Sequence, residues 1–366
     1  MLTTTTDLIG SPVEDLDTPC LVLDLDILDA NLNRMASFFA GRECQLRPHF
    51  KNHKCTTLAL KQLQAGSAVG ITCAKLGEAE VLVDAGIDDI LIANQVVGRR
   101  KIARLIDLAL KAKIRVAVDS QQHVELISEA AAEKGASVGL LIEIDIGMGR
   151  CGIRDSNQVL ELARLIKNQP CTRFDGFQAY EGHTVGIPDR DERRQVATTS
   201  MQYALDVASE LNRNGVEVAI VSGGSSSTYD ATGILPGMKE VQAGTYATMD
   251  WSYRRWAAEF EVALTILARV ISRPREGVGV VDFGVKGMGD EFGGPQFVGF
   301  PDADIPRFLS EEHCTVGNVP QWKVGDAVHA VPSHACTTCN LYRQFYVAND
   351  GVVVDVWPID GAGRLA

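Results

Sequence analysis

Between residues 44 and 246 the chain alternates short apolar runs with helical patterns, a rhythm that few architectures accommodate. Runs at 44 to 50, 68 to 74, 89 to 94, 114 to 118, 139 to 145, 174 to 180, 217 to 223 and 241 to 246 read as strands. Most of the gaps, among them TTLALKQLQAG, KLGEAEVLVDAG, RRKIARLIDLALKA and a long segment from Asp191 to Asn214, place apolar residues at three- and four-residue spacing. Several of these helices end at Gly, which readily caps a carboxyl terminus. The runs are continuously apolar, as in parallel strands buried on both faces. About eight such units predict an α/β fold, a (β/α)8 TIM-type barrel, with a doubly wound open sheet as runner-up.

From about Glu259 the sequence turns β-rich and Gly-punctuated, as in EVALTILARVISRP, DAVHAVPSHAC and RQFYVANDGVVVDVWPI. Asn349-Asp350-Gly351 between two alternating runs is a hairpin signal. The predicted organisation is a barrel over 27–258 and a second, mostly β domain over 259–366.

A chain of 366 residues suffices for one large and one smaller domain. Its formal net charge of -12 repels polyanions, which argues against nucleic acid or an anionic membrane surface as a partner. Basic clusters then serve small anions. The opening residues lack the basic start and apolar run of a signal peptide, and no segment is long and apolar enough to span a bilayer. Nine scattered cysteines, an odd number, suit reduced thiols in a cytoplasm.

Catalytic groups of such barrels gather at the carboxyl ends of the strands, and the unusual polar residues fall there. RPHFKNHK, residues 47 to 54, ends the first barrel strand with Lys51 as candidate Schiff-base nucleophile or as part of a basic patch. Crowding by Arg47, His49, His53 and Lys54 would favour the neutral amine that attacks carbonyls. The fifth strand leads to GMGRCGI with Arg150, the sixth carries Gln178 and leads to Tyr180, Glu181, Gly182 and His183, and the seventh leads to SGGSS, residues 222 to 226. Ser222, Gly223, Gly224 and Ser225 offer backbone N–H groups and hydroxyls to a phosphate, and Gly244, Thr245 and Tyr246 close the eighth strand where barrels often bind one. A lysine facing a phosphate cradle is the arrangement that pyridoxal 5'-phosphate requires. Arg150 or Gln178 would face a ring heteroatom. His53 and His183 are candidate proton carriers.

PSHACTTCNLY holds a second constellation. His334 and Cys336, two apart in a predicted strand, share a face where imidazole and thiolate could bind one divalent ion, with further ligands supplied from elsewhere. Cys336 and Cys339 also form a C-x-x-C pair, without the second pair of a zinc ribbon.

The succession RPHxKxHK, GxGRCG, QAYEGH, SGGSS, GTY and PSHxCTTCN resembles the fold-type III pyridoxal phosphate enzymes of the D-threonine aldolase and D-serine dehydratase group, along nearly the whole chain. The resemblance implies that Lys51 holds the cofactor, that SGGSS and GTY bind its phosphate, and that His334 and Cys336 bind a catalytic metal (zinc, manganese or magnesium). It further implies a homodimer, and places the strand near residues 20–25 in the β domain. The expected activity is cleavage of a D-3-hydroxy amino acid such as D-threonine to glycine and an aldehyde. Conversion of D-serine to pyruvate and ammonia is the alternative, since His-x-Cys resembles the dehydratases whereas QAYEGH resembles the aldolases. An amino acid racemase and a non-catalytic pyridoxal phosphate-binding protein are the remaining readings.

Overall fold

The computed structural model describes residues 8–366, which divide into two compact units. One consists of Ala36–Lys51, Ala59–Gly244 and Arg364–Ala366; the other consists of the described residues up to Met35, Asn52–Leu58 and Thr245–Gly363. Strand β1 (Cys20–Asp24) and helix α1 (Leu25–Phe39) open the chain.

The first unit is built on eight parallel strands: β2 (Gln45–Leu46), β3 (Ile71–Cys73), β4 (Asp89–Ile92), β5 (Lys113–Val118), β6 (Val138–Ile144), β7 (Thr172–Ala179), β8 (Ile220–Gly223) and β9 (Glu240–Val241). Neighbours follow chain order from β3 to β9, β9 pairs with β2, and bridges Leu46 to Ala68 and His49 to Thr72 close the ring. The predicted barrel is therefore present. The strands alternate with α2 (Thr56–Gln64), α3 (Leu76–Asp84), α4 (Arg99–Ala109), α5 (Gln121–Lys134), α6 (Ser156–Asn168), α7 (Arg190–Arg213) and the single turn α8 (Tyr229–Thr232). Side-chain caps fix several starts: Ser120 accepts from His123 N–H, and Asp155 and Asp189 do the same for α6 and α7. Every residue of β6 is buried, which explains its unbroken apolar run.

Toward the amino ends of these strands the chain builds a buried ionic layer. Arg47, 1% exposed, reaches Asp89 at 2.8 Å and Glu240 at 2.7 Å. Arg115 bonds Asp89 at 2.7 Å and Asp175 at 2.9 Å. Arg47–Asp89 and Arg115–Asp175 each reach across an intervening strand, the other two pairs join neighbouring strands, and glycines at the intervening positions make the room. A Cβ on Gly70 would lie 2.3 Å from the Arg47 guanidinium, and one on Gly139 would lie 2.3 Å from the Asp175 carboxylate. Arg47 is thus neutralised by two carboxylates, contrary to the expectation that it crowds Lys51.

In the second unit, α9 (Trp251–Arg254) precedes the strands β10 (Leu264–Arg275), β11 (Val278–Val281), β12 (Gln296–Phe297), β13 (Cys314–Val316), β14 (Ala327–Val331), β15 (Gln344–Asn349) and β16 (Val352–Pro358). The sheet runs β12-β14-β10-β1-β15-β16, with β11 paired to β10 and β13 paired to β11. The hairpin β15–β16 turns at Asp350 and Gly351, both in the left-handed region, as the Asn-Asp-Gly signal predicts. One local expectation fails: β14 stops at Val331, and residues 335–339 form a short helix, α10 (Ala335–Cys339), with His334 at its amino cap. The tight polar stretch Pro332-Ser333-His334 bends the chain out of the sheet before the two candidate ligands are reached.

Candidate active site

Lys51 lies past the end of β2, and its Nζ sits 5.5 Å from the centroid of the Tyr180 ring, which follows β7. The Arg150 guanidinium approaches the same ring at 5.7 Å. One aromatic side chain thus meets both cations predicted from the sequence, at the distance where the ring quadrupole attracts charge.

Local backbone geometry delivers these side chains. After β6, Asp145 accepts N–H groups of Gly147 at 3.0 Å and Gly149 at 2.9 Å and bonds Arg154, which shapes the loop bearing Arg150. Gly147, with φ +130, also leaves space for the His183 ring, since a Cβ there would come within 2.9 Å of it. His183 is exposed, and its Nε2 lies 3.1 Å from Ser200 Oγ on α7.

Beneath Arg150 lies Glu143, a carboxylate in an otherwise apolar strand. Gln95 donates to it at 2.6 Å and Arg150 stands 3.7 Å away, yet burial raises its pKa. Gln178, paired with Glu143 across β6 and β7, is buried and its Oε1 has no hydrogen-bond partner. An orphaned acceptor inside a barrel is a site for a missing donor.

The loop after β8 is tightly determined. A Cβ on Gly223 would fall 1.9 Å from the Ala179 carbonyl, and Gly224 adopts φ +79. Ser225 Oγ lies 2.9 Å from Ser227 Oγ and 3.0 Å from Thr228 Oγ1, so three hydroxyls converge. Ser222 Oγ instead accepts from Gln242 at 2.9 Å. Gly244 ends this unit after β9. A strand-end lysine, a converged hydroxyl loop at a left-handed glycine and an orphaned buried amide oxygen fit an aldehyde-bearing aromatic phosphate.

The remaining candidates belong to the other unit. Thr245 is buried, and the Tyr246 ring is a core group packed edge-on to Phe260 at 5.7 Å, which leaves its backbone for any ligand contact. His53 is fully buried, and its Nδ1 accepts the Cys55 N–H at 3.2 Å, so the proton of the neutral ring resides on Nε2.

His334 and Cys336 come together through the bend before α10, and a hydrogen bond between their side chains joins them. Glu291 binds His334 Nδ1 and accepts from Thr337 at 2.7 Å, the Tyr253 ring stacks on the imidazole, and Asn52 donates to Cys336 Sγ at 3.6 Å. Burial opposes charge on His334, but Cys336, Asp250 and Glu291 outweigh it and hold the pKa at about 9. Burial likewise pushes Asp250 up to about 6, although the Ala335 and Tyr253 N–H groups donate to it at 2.9 and 2.7 Å. Among the described residues no group of three or more His, Cys, Asp or Glu side chains could hold a metal ion. Imidazole and thiolate are donors that would suit a divalent ion, and Glu291 holds the imidazole through Nδ1.

Asp250, Glu291 and Glu143 were not singled out by sequence, and Glu181 was named only for its place after the sixth strand. Only Glu143 carried a signal, as a charge in the apolar run VGLLIEIDI.

Residues 23–250 match the family model of the alanine racemase N-terminal domain, and residues 263–348 match a serine dehydratase domain. The chain is 38% identical to a D-threonine aldolase of Arthrobacter sp, over 97% of this chain and 95% of that one. It is 33% identical to a 3-hydroxy-D-aspartate aldolase of Paracoccus denitrificans, over 97% of this chain and 94% of the other. The crystal structure of D-threonine aldolase from Filomicrobium marinum superposes with a TM-score of 0.95 at 35% identity, covering 98% of this chain and 99% of that chain.

Proposed function

Because the chain belongs to the fold-type III pyridoxal phosphate family of D-threonine aldolases and D-serine dehydratases, we propose that it is a lyase for D-3-hydroxy amino acids, cleaving D-threonine and its relatives to glycine and an aldehyde. The observation that carries the choice of aldol cleavage is the end-to-end likeness to aldolases; Lys51 facing Tyr180 at the strand ends carries the choice of cofactor.

Pyridoxal phosphate, when bound, supplies a conjugated ring that accepts the electron pair released as the Cα–Cβ bond breaks. Lys51 would hold it through Nζ, with the Tyr180 ring fixing the direction of that side chain. Arg150, tethered by Glu143, would face the ring heteroatom, and Gln178 Oε1 would find its missing donor on the ligand. Ser222, Gly223, Gly224, Ser225, Gly244, Thr245 and the Tyr246 backbone would bind the phosphate. A divalent ion, when bound, supplies a Lewis acid for the β-hydroxyl, and His334 Nε2 and Cys336 Sγ would hold it. We assign removal of the β-hydroxyl proton to His183, whose ring Nε2 is held 3.1 Å from Ser200 Oγ; His53, whose Nε2 carries the ring proton, is the second candidate proton carrier and would act as a donor.

The reading extends to a barrel over 27–258 that carries the cofactor, a metal-binding β domain over 259–366 with the strand near 20–25, a homodimer, and a cytoplasmic setting suited to nine cysteines that form no disulfide among the described residues. Among the described residues no helix is long and apolar enough to cross a membrane.

The deciding assay incubates protein, pyridoxal phosphate and divalent metal with D-threonine and, separately, with D-serine. Glycine with acetaldehyde is expected. Pyruvate from D-serine without aldol cleavage would move the assignment to a dehydratase, and neither product from either substrate would exclude both.

A further inference from the structure

Glu181 is a buried acid that this mechanism leaves unused. It follows Tyr180, is 1% exposed, and no Lys, Arg or His pairs with it among the described residues. Both carboxyl oxygens instead serve the loop after β8: Oε2 accepts the Gly224 N–H at 3.1 Å, and Oε1 accepts the Thr228 hydroxyl at 2.6 Å. Thr228 Oγ1 in turn accepts the Ser225 N–H at 3.1 Å, and Ser225 Oγ accepts the Ser227 N–H at 3.2 Å. The whole turn from Gly224 to Thr228 therefore hangs from one side chain.

A negatively charged group is an unexpected choice beside a phosphate dianion. Burial without a cation favours the acid form and raises the pKa of Glu181, while the bonds from Thr228 and Gly224 pull the other way. What the loop takes from this side chain is two hydrogen-bond acceptors.

We propose that Glu181 is a positioning residue that shapes the Gly224–Thr228 turn so that its hydroxyls select the phosphorylated form of the cofactor. The inference rests on the pyridoxal phosphate reading. It separates phosphate recognition from aldehyde capture, which belongs to Lys51.

The test titrates cofactor-free protein with pyridoxal phosphate and with pyridoxal, which share ring and aldehyde and differ only in the phosphate. Glu181→Ala should weaken pyridoxal phosphate by about tenfold or more, the loss expected for two buried hydrogen bonds, and leave pyridoxal unchanged. Glu181→Gln keeps one of the two acceptors and should recover part of the preference. Should the alanine variant not fold, Thr228→Val, which removes the hydroxyl bonded to Oε1, should narrow the preference in the same way. An unchanged preference in Glu181→Ala or Thr228→Val, equal weakening of both ligands, or no rescue by Gln overturns the proposal. A wild-type protein that binds both forms equally, or neither, refutes the cofactor reading instead.

Discussion

Lys51 Nζ stands 5.5 Å from the centre of the Tyr180 ring, and Arg150 comes to 5.7 Å from that same ring. A single aromatic residue at the end of β7 therefore sets the direction of two cations contributed by different loops.

From this contact, Lys51→Ala should abolish the visible absorption of the cofactor-loaded protein and lower aldol cleavage on the order of a thousandfold or more. Borohydride reduction of the wild type followed by peptide mapping should label Lys51. Label on Lys54 would contradict the assignment. Tyr180→Leu should keep the chromophore but weaken the cofactor, by an amount near the 0.5–2 kcal/mol typical of roughly comparable cation–π contacts.

The His334 and Cys336 pair predicts a metal requirement. Chelation should remove activity, a divalent ion should restore it, and Cys336→Ala should lose the bound metal as measured by elemental analysis. Glu291 binds Nδ1 and so leaves Nε2 for the ion; Glu291→Gln should loosen the metal by about 10–100-fold. Full metal content in Cys336→Ala would show that the ion binds elsewhere.

Asp250 gives the metal-free protein a pH-dependent stability. Its carboxyl is raised by burial from 3.8 to about 6, so the folded state binds a proton that the unfolded chain has already released. Stability from this group is complete below about 4 and falls, by roughly 3 kcal/mol, as pH rises to about 6. Denaturant titrations of wild type and Asp250→Asn across that interval should show a shallower slope in the variant. Parallel slopes would remove Asp250 as the cause.

Arg47 should matter for stability and not for chemistry. Arg47→Leu leaves Glu240 buried without its cation, at a cost of about 3–5 kcal/mol. The folded fraction should still load cofactor with the wild-type spectrum. A shifted cofactor spectrum would restore the view that Arg47 acts on Lys51.

These outcomes bear on what the sequence discloses. The eight strands were legible because burial on both faces leaves an unbroken apolar run, and α5 and its neighbours because Ser120, Asp155 and Gly135 mark their limits. The bend at Ser333 was missed although Pro332, which has no N–H for the ladder, marks the point where β14 ends; the alternation of residues beyond it was read as a continuing strand. The partners of the cations were not legible. Arg47 finds Glu240 193 positions away, and His334 finds Glu291 43 positions away, separations at which local pattern says nothing and only the closed fold assigns neighbours. Lys51, Arg150 and Tyr180 could be named as a set because barrel topology sends every strand end to one side.

The ionic layer joining Arg47, Asp89, Arg115, Asp175 and Glu240 has a bearing on redesign. It ties neighbouring and alternate strands together at the end away from Lys51 and Tyr180, with Gly70 and Gly139 as the openings its side chains pass through. Structural tolerance and chemical novelty are thereby assigned to opposite ends of the same eight strands. Loops carrying Arg150 and His183 can be exchanged for others while the far end keeps the barrel closed, so a library confined to those loops should retain folded members where one spread over the whole barrel would not.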